Sequence, residues 1–199
     1  MLKIFIGTKN KHKREKLSWI VEKYFRPEIK DNLKEAPETK ENFLEIAEEK
    51  AIFYSKECKC LAISTDGGAV IPAIPEWKPI ETKRFAKTDK ERIDKLLKMM
   101  EGKKNRIVEW HEAIALADNG KLLFSEQAKA MDGQLDKIYN PQFYREGIWL
   151  CSITSFPQFN NKNFFELTDE EVEATEDSWE RLKNKFDEFM QKNTPPFKY

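Results

Sequence analysis

A short basic turn near the amino terminus has the residue types that hold anions. It reads Thr8-Lys9-Asn10-Lys11-His12-Lys13 and lies between an apolar strand, Leu2–Ile6, and an amphipathic helix. Free backbone N–H groups and the positive end of a helix dipole favour negative charge at such a junction. We expect Asn10 to cap the helix and the Lys13 ammonium to reach back over the helix start. The turn is either a phosphate site or a solvated basic surface, and spacing alone favours neither.

Carboxylates and one lysine follow on the second predicted helix. Glu41, Glu45 and Glu49 recur every four residues, which costs roughly 0.2–0.5 kcal/mol per like-charged pair unless a cation relieves it. A solvated acidic face is the commoner explanation of such a run. Lys50 is more informative because it lies in line with the apolar positions of the helix, where a lysine must extend past its neighbours or enter a cleft.

One more carboxylate, Asp66, follows a strand that is predicted to be buried, and Gly67-Gly68 comes directly after it. Ligands of α/β sheets bind at the carboxyl ends of strands, and glycines permit close backbone approach. An isolated aspartate in this position is more often only a turn former. The segment therefore indicates a ligand site only in combination with the others.

The elements that must position these residues alternate between strands and helices. In chain order we predict a strand Leu2–Ile6, a helix to about Phe25, a helix Thr39–Lys56, a strand Cys60–Thr65 stopped by Asp66-Gly67-Gly68, a helix capped by Thr88, hairpin strands Ile107–Ala117 and Lys121–Ala130, and a helix Asp169–Gln191 capped by Thr168. This pattern predicts an α/β fold with a mixed twisted sheet flanked by helices. We expect a single domain over residues 1–199.

Composition excludes several classes of protein. The chain has 35 basic and 35 acidic residues and a formal net charge of +0, which argues against a general nucleic-acid binder. No apolar run is long enough to span a membrane. Three cysteines, an odd number, predict no disulfide framework and a reducing, cytoplasmic setting. Cys58 and Cys60 are interpreted as a helix exit rather than a metal site.

Three motifs in order resemble the inosine triphosphate pyrophosphatase family, also called Ham1-like or non-canonical purine nucleoside triphosphate pyrophosphatases. The family's T-x-N-x-x-K is matched by Thr8, Asn10 and Lys13, and its F-x-E-N-A-x-x-K-A by Phe43–Ala51 with Ile46 in place of asparagine. The family's D-D-S-G aligns with Thr65-Asp66-Gly67-Gly68. The second acid is thus kept, whereas the first has become Thr65.

The resemblance covers residues 1–133 well and the last third poorly. Thr82–Lys87, which contains Arg84, matches a family stretch similar to S-A-R-Y-A-G. Of the loop that covers the base, Gly147 and the nearby aromatic Trp149 remain. Where the family has S-H-R to recognise the purine, this chain has Glu176-Asp177-Ser178. These acids predict a shifted base preference, unless they are only the acidic start of a long helix.

The resemblance implies an Mg²⁺-dependent hydrolase that cleaves nucleoside triphosphates to a monophosphate and pyrophosphate. It implies two lobes around a central nucleotide cleft, and a cytoplasmic homodimer with no nucleic-acid or membrane partner. Glu45 and Asp66 would bind Mg²⁺ and, with Lys50, form the catalytic group. The substrate-binding residues would be Thr8, Asn10, Lys13, Gly67, Arg84 and Trp149.

The departures from the family pattern keep a second hypothesis open. Thr65 lacks the carboxylate of its family counterpart, which is expected to weaken metal binding. Together with Ile46 and the rewritten last third, this change supports a non-catalytic nucleotide-binding or regulatory homologue as the alternative. An α/β domain of unrelated function is the third possibility.

Overall fold

The structure is a computed structural model, and it describes residues 1–30, 32–79 and 85–193. The strands are β1 Lys3–Ile6, β2 Arg26–Glu28, β3 Leu61–Val70, β4 Ile107–Asp118, β5 Lys121–Lys129, β6 Gly133–Leu135, β7 Thr154–Phe156 and β8 Lys162–Asn163. The helices are α1 Lys11–Val21, α2 Phe43–Cys58, α3 Asp89–Met99, α4 Asp169–Thr175 and α5 Ser178–Lys192.

The strands form a mixed sheet, which confirms the predicted fold class. Their order is β2-β1-β3-β4-β6-β7-β8, and β5 pairs with β4 as the predicted hairpin. β1 is parallel to β2 and β3, whereas β4, β6, β7 and β8 pair antiparallel in succession. Parallel strands bring their carboxyl ends to one edge of the sheet, so the segments after β1 and late in β3 come close together.

The chain divides into two compact units. The first comprises residues 1–67, 112–128 and 178 onwards, and the second comprises residues 68–111 and 129–177. The core of the first unit is built by apolar residues of β1, α1, β3, β4 and α5, among them Ile4, Ile6, Leu17, Ile20, Ile63, Ile114, Leu182 and Phe186. Each such side chain contributes about 1.5–3 kcal/mol when fully buried.

The core of the second unit lies along α3. Ile93 and Leu96 are completely buried, as the helical spacing predicts, and they pack with aromatic and aliphatic residues that include Trp77, Val108, Trp149 and Ile153. The Thr88 side chain accepts a hydrogen bond from the Glu91 backbone N–H, and the Glu91 carboxylate accepts one from the Thr88 backbone N–H. Together these bonds form a complete capping box. None of the described helices is long and apolar enough to cross a membrane.

Three boundaries differ from the sequence prediction near the amino terminus. α1 ends at Val21 rather than near Phe25, because the chain turns into β2, in which Pro27 is tolerated at the sheet edge. α2 begins at Phe43 rather than Thr39, because the Asn42 side chain caps it. The prediction that Asp66 ends its strand was wrong: β3 continues to Val70, with Ala69 buried beyond the glycines.

The last predicted helix is two helices. Thr168 and Glu171 form the expected capping box, but α4 ends at Thr175 and α5 starts at Ser178. Both of these residues are buried, and the chain turns at the acidic pair between them. Glu176 and Asp177 are half-buried in a break between helices, not on the solvated first turn of a long helix.

The cysteines form one short bridge. The sulfur atoms of Cys58 and Cys60 are joined, with Cα atoms 5.2 Å apart, a separation usual for disulfides. The intervening Lys59 has a left-handed backbone (φ 51°) and caps α2. The bridge joins residues only two apart at the end of that helix, so it is not a disulfide framework of the kind that the cysteine count excludes. The sequence analysis did not predict this bridge. Cys151 is free.

Candidate active site

The turn after β1 carries the helix cap that the sequence predicts. The Asn10 side chain caps α1 by accepting a hydrogen bond from the backbone N–H of Lys13 at 3.1 Å. The Asn10 backbone N–H donates to the Thr8 hydroxyl at 3.3 Å, and Arg14 Nε donates to the Thr8 carbonyl at 2.8 Å. The cap is confirmed, and the turn is held in one shape by its own side chains.

Gly7 fixes this turn against β3. Its N–H donates to the Ile63 carbonyl at 2.8 Å, and its carbonyl accepts from the Ser64 hydroxyl at 2.9 Å. A Cβ added at Gly7 would collide with Ser64 Oγ and would lie 2.5 Å from the Tyr54 ring. Only a residue without a side chain allows the turn to approach the strand this closely.

We expect Gly7→Ala to destabilise the protein and to displace the turn. Overpacking of this kind typically costs 1–3 kcal/mol, so the free energy of unfolding should fall by about that amount. Urea unfolding of the variant measures it, with Gly102→Ala as a comparison, because an added Cβ there meets nothing within 4 Å. Gly102 has a positive φ of 72°, so its variant measures backbone strain without the collision. Wild-type stability of the Gly7→Ala protein would contradict the packing argument.

Lys13 is engaged by a carboxylate that the sequence analysis missed. Its Nζ lies 2.9 Å from Oε1 of Glu112 in β4, and the two side chains are only 20% and 12% exposed. The Thr65 hydroxyl is in very short contact with the same Oε1 and lies 2.7 Å from the Ala113 carbonyl. Glutamate is rarely buried unless it is paired, and a glutamate among the apolar residues of a hairpin strand was the signal that could have revealed it.

A second lysine–carboxylate pair lies in the same unit. Lys50 Nζ is 3.2 Å from Asp66 Oδ1 and 3.4 Å from Glu38 Oε1, and the Lys50 and Asp66 side chains are 14% and 18% exposed. The sequence predicts that the Lys50 side chain extends away from the apolar face of α2. In the structure its ammonium group contacts the Asp66 carboxylate. Burial raises the pKa of Asp66 above its ordinary value, although the charges of Lys50 and Lys13 oppose the shift. Burial acts against the charge on Lys50, but Asp66 and Glu38 outweigh it and raise the Lys50 pKa.

Glu45 is not drawn into this cluster. Glu45 is exposed on α2, and its backbone N–H donates to the side chain of the capping residue Asn42. Among the described residues its carboxylate has no hydrogen bond or ion pair. The carboxylates of two neighbouring acids on the helix accept hydrogen bonds. Glu48 accepts from the Ser125 hydroxyl, and Glu49 accepts from the backbone N–H and the hydroxyl of Thr39. Glu45 is therefore an exposed acid of this helix whose carboxylate has no partner among the described residues.

The remaining predicted substrate residues are distributed differently. Gly67 follows Asp66 inside β3, and Arg84 falls outside the described residues. Trp149 belongs to the second unit, where it is 4% exposed and stacks on Phe85 with ring centroids 6.3 Å apart. Trp149 is therefore part of an apolar core in this conformation of the protein.

The acids at the break after α4, Glu176 and Asp177, are half-buried. Burial raises the pKa of the Cys151 thiol to about 12, and the negative charge of Glu176 adds to that shift. Glu176 thus lies close enough to Cys151 to act on it through a poorly solvated region. An acidic oxygen in such a place is a strong hydrogen-bond acceptor for any donor that reaches it.

The side chains present suit a divalent cation that is bound jointly with phosphate. No group of three or more histidine, cysteine or acidic side chains placed to hold a metal ion occurs among the described residues. Mg²⁺ commonly needs only one or two carboxylates, because water and substrate phosphates complete its shell. Asp66 supplies one such carboxylate, and Lys50 and Lys13 lie close enough to act on its pKa.

A model of the Ham1 family matches residues 4–176, which is most of the chain. The chain belongs to the Ham1 family. Solved Ham1 proteins share the fold: that of Coxiella burnetii superimposes with a TM-score of 0.78 at 22% identity, covering 94% of this chain and all of that one. The Staphylococcus aureus Ham1 protein gives 0.76 at 20% identity, with 94% and 98% covered.

Curated relatives of this Ham1 protein include enzymes named dITP/XTP pyrophosphatase. The one from Aquifex aeolicus is 26% identical over 180 residues, which is 81% of this chain and 89% of the relative. The one from Prochlorococcus marinus strain NATL1A is 34% identical over 89 residues, 45% of each chain. The chain thus aligns with about half the length of the Prochlorococcus relative.

Proposed function

We propose that this Ham1 protein hydrolyses nucleoside triphosphates between the α and β phosphates, releasing a nucleoside monophosphate and pyrophosphate. The observation that carries the proposal is the placement of two largely buried lysine–carboxylate pairs, Lys13–Glu112 and Lys50–Asp66, near the basic turn that precedes α1. Phosphoryl chemistry depends on such positioning and charge stabilisation. The names of the curated relatives support the same reaction class.

In the proposed mechanism the substrate phosphates replace the carboxylates that Lys13 and Lys50 contact within the protein. The N–H groups at the start of α1 and the ammonium groups of Lys13 and Lys50 bind phosphate oxygens. Asp66 and the exposed Glu45 would hold the cation, and Asp66 would orient the attacking water. A bound Mg²⁺ would neutralise negative charge that develops on the phosphates. Thr8 and Asn10 hold the turn in shape for these contacts.

The proposal includes the setting in which the enzyme works. We infer free nucleotides in the cytoplasm as its substrates and a homodimer as its assembly. The balanced charge of the chain supports a small substrate rather than a nucleic acid. The family resemblance supports the dimer.

Incubation with a panel of nucleoside triphosphates and Mg²⁺ tests the reaction. Equal amounts of pyrophosphate and monophosphate are expected, with no release of orthophosphate before any pyrophosphatase is added. Tight nucleotide binding without product would favour the alternative, a non-catalytic homologue, which the threonine at position 65 also supports. Orthophosphate and a diphosphate as products would place the cleavage at the wrong bond.

Within that panel we expect poor use of inosine and xanthosine triphosphates. If Glu176 and Asp177 face the base, acceptor carboxylates repel its carbonyl groups, and each unsatisfied buried group costs roughly 1–3 kcal/mol. A base with an exocyclic amine should give the higher kcat/KM. The half-buried place of these acids in the helix break supports this assignment. A strong preference for inosine triphosphate over adenosine or cytidine triphosphate would show that other residues recognise the base.

A further inference from the structure

Thr65 is buried where the family motif carries a carboxylate, and a carboxylate from elsewhere lies against it. The Thr65 residue has no exposed surface, and its hydroxyl contacts Oε1 of Glu112. Glu112 comes from β4, the strand next to β3 in the sheet. A glutamate from the adjacent strand thus puts a carboxylate beside the side chain that lacks one.

The contacts of Glu112 leave it open to a further ligand. Both Lys13 and Thr65 contact the same oxygen, Oε1. No hydrogen bond to Oε2 occurs in the part of the chain that the structure describes. An ionised carboxylate offers about four lone-pair sites on its two oxygens, so Glu112 keeps acceptor capacity while it holds Lys13.

Substrate binding would change the charge balance around Glu112. In the proposed function Lys13 turns to the phosphates, and Glu112 would then be a poorly solvated carboxylate without its cation. An uncompensated buried charge is strongly unfavourable. A divalent cation that arrives with the phosphates compensates it, just as it compensates Asp66 when Lys50 moves. Both ion pairs of the unliganded protein would exchange partners in the same way.

We propose that Glu112 binds the divalent cation together with Asp66, replacing from β4 the carboxylate that β3 lacks at Thr65. The inference rests on the proposed function, in which the cation would bind together with the substrate phosphates. In this proposal the carboxylate that is missing at Thr65 is supplied by Glu112, so the protein keeps the same number of cation ligands. The competing explanation is that Glu112 only holds Lys13 in position.

The test moves the carboxylate between strands. Glu112→Gln removes the charge at nearly constant size, and the double variant Thr65→Asp/Glu112→Thr returns it to β3. The measurement is the dissociation constant of Mn²⁺, followed by its electron paramagnetic resonance, with and without inorganic pyrophosphate. Glu109→Gln is the matched control, because Glu109 is also in β4 but pairs with Lys129 and His111.

We expect Glu112→Gln to weaken Mn²⁺ binding at least about tenfold, the size seen when a group that supports a metal site is removed. The double variant should recover most of that loss, and the control should match the wild type. Unchanged Mn²⁺ affinity in Glu112→Gln, or a folded double variant that recovers nothing, overturns the proposal. Because Mn²⁺ binding requires no turnover, a protein that binds the cation through Glu112 but releases no pyrophosphate would refute only the function.

Discussion

Asp66→Asn is expected to abolish pyrophosphate release, lowering kcat/KM by about a thousandfold, the upper range for loss of one group that stabilises transition-state charge. The side chain keeps its size and its place in β3 but can no longer neutralise a cation. Because Lys50 retains Glu38 as a partner at 3.4 Å, the fold should survive. Circular dichroism of the variant checks that point.

Asp94→Asn is the control for this experiment. Asp94 lies on α3, where it pairs with Lys90 and its side chain is 56% exposed, and an exposed pair of this kind contributes little to stability. Its variant should match the wild type in rate and in Mg²⁺ dependence. A folded Asp66→Asn enzyme with wild-type rate and unchanged Mg²⁺ dependence would refute the mechanism proposed above.

The sequence predicted those parts of the candidate site that depend on residues close together along the chain. Asn10 caps α1 because its side chain meets the backbone three residues ahead, an interaction contained within one turn. Lys50 was recognised because helical periodicity placed it among apolar residues, and the structure puts it on Asp66. The predicted capping box of Thr168 and Glu171 likewise depends on residues only three apart.

Features that depend on distant partners were missed or misplaced. Glu112 gains its role only because β4 lies beside β3, which brings it to Thr65, 47 residues away in sequence. β2 has three residues and contains Pro27, so no alternation could reveal it. The break at Glu176 was missed because helix propensity favoured continuity. Pairing with distant strands decided the first two cases.

Lys13→Ala is the variant with the second largest expected effect, because it alters both activity and stability. Lys13 is assigned to bind phosphate in the ground and transition states, so KM should rise and kcat should fall. Loss of one such donor typically lowers catalysis about a hundredfold. The variant also leaves Glu112 without the cation that the structure pairs with it at 2.9 Å, which should cost roughly 1–3 kcal/mol of unfolding free energy.

A double-mutant cycle with Glu112→Gln separates these two effects. Removing both charges should recover most of the lost stability, because no uncompensated carboxylate remains, and the coupling free energy measured by urea unfolding should be favourable. Activity should not recover, since neither the phosphate donor nor the proposed cation ligand is restored. If Lys13→Ala changes neither KM nor kcat, the turn after β1 is only a basic surface. If the double variant regains activity along with stability, the reaction needs neither the Lys13 ammonium nor the Glu112 carboxylate, and both assigned roles are refuted.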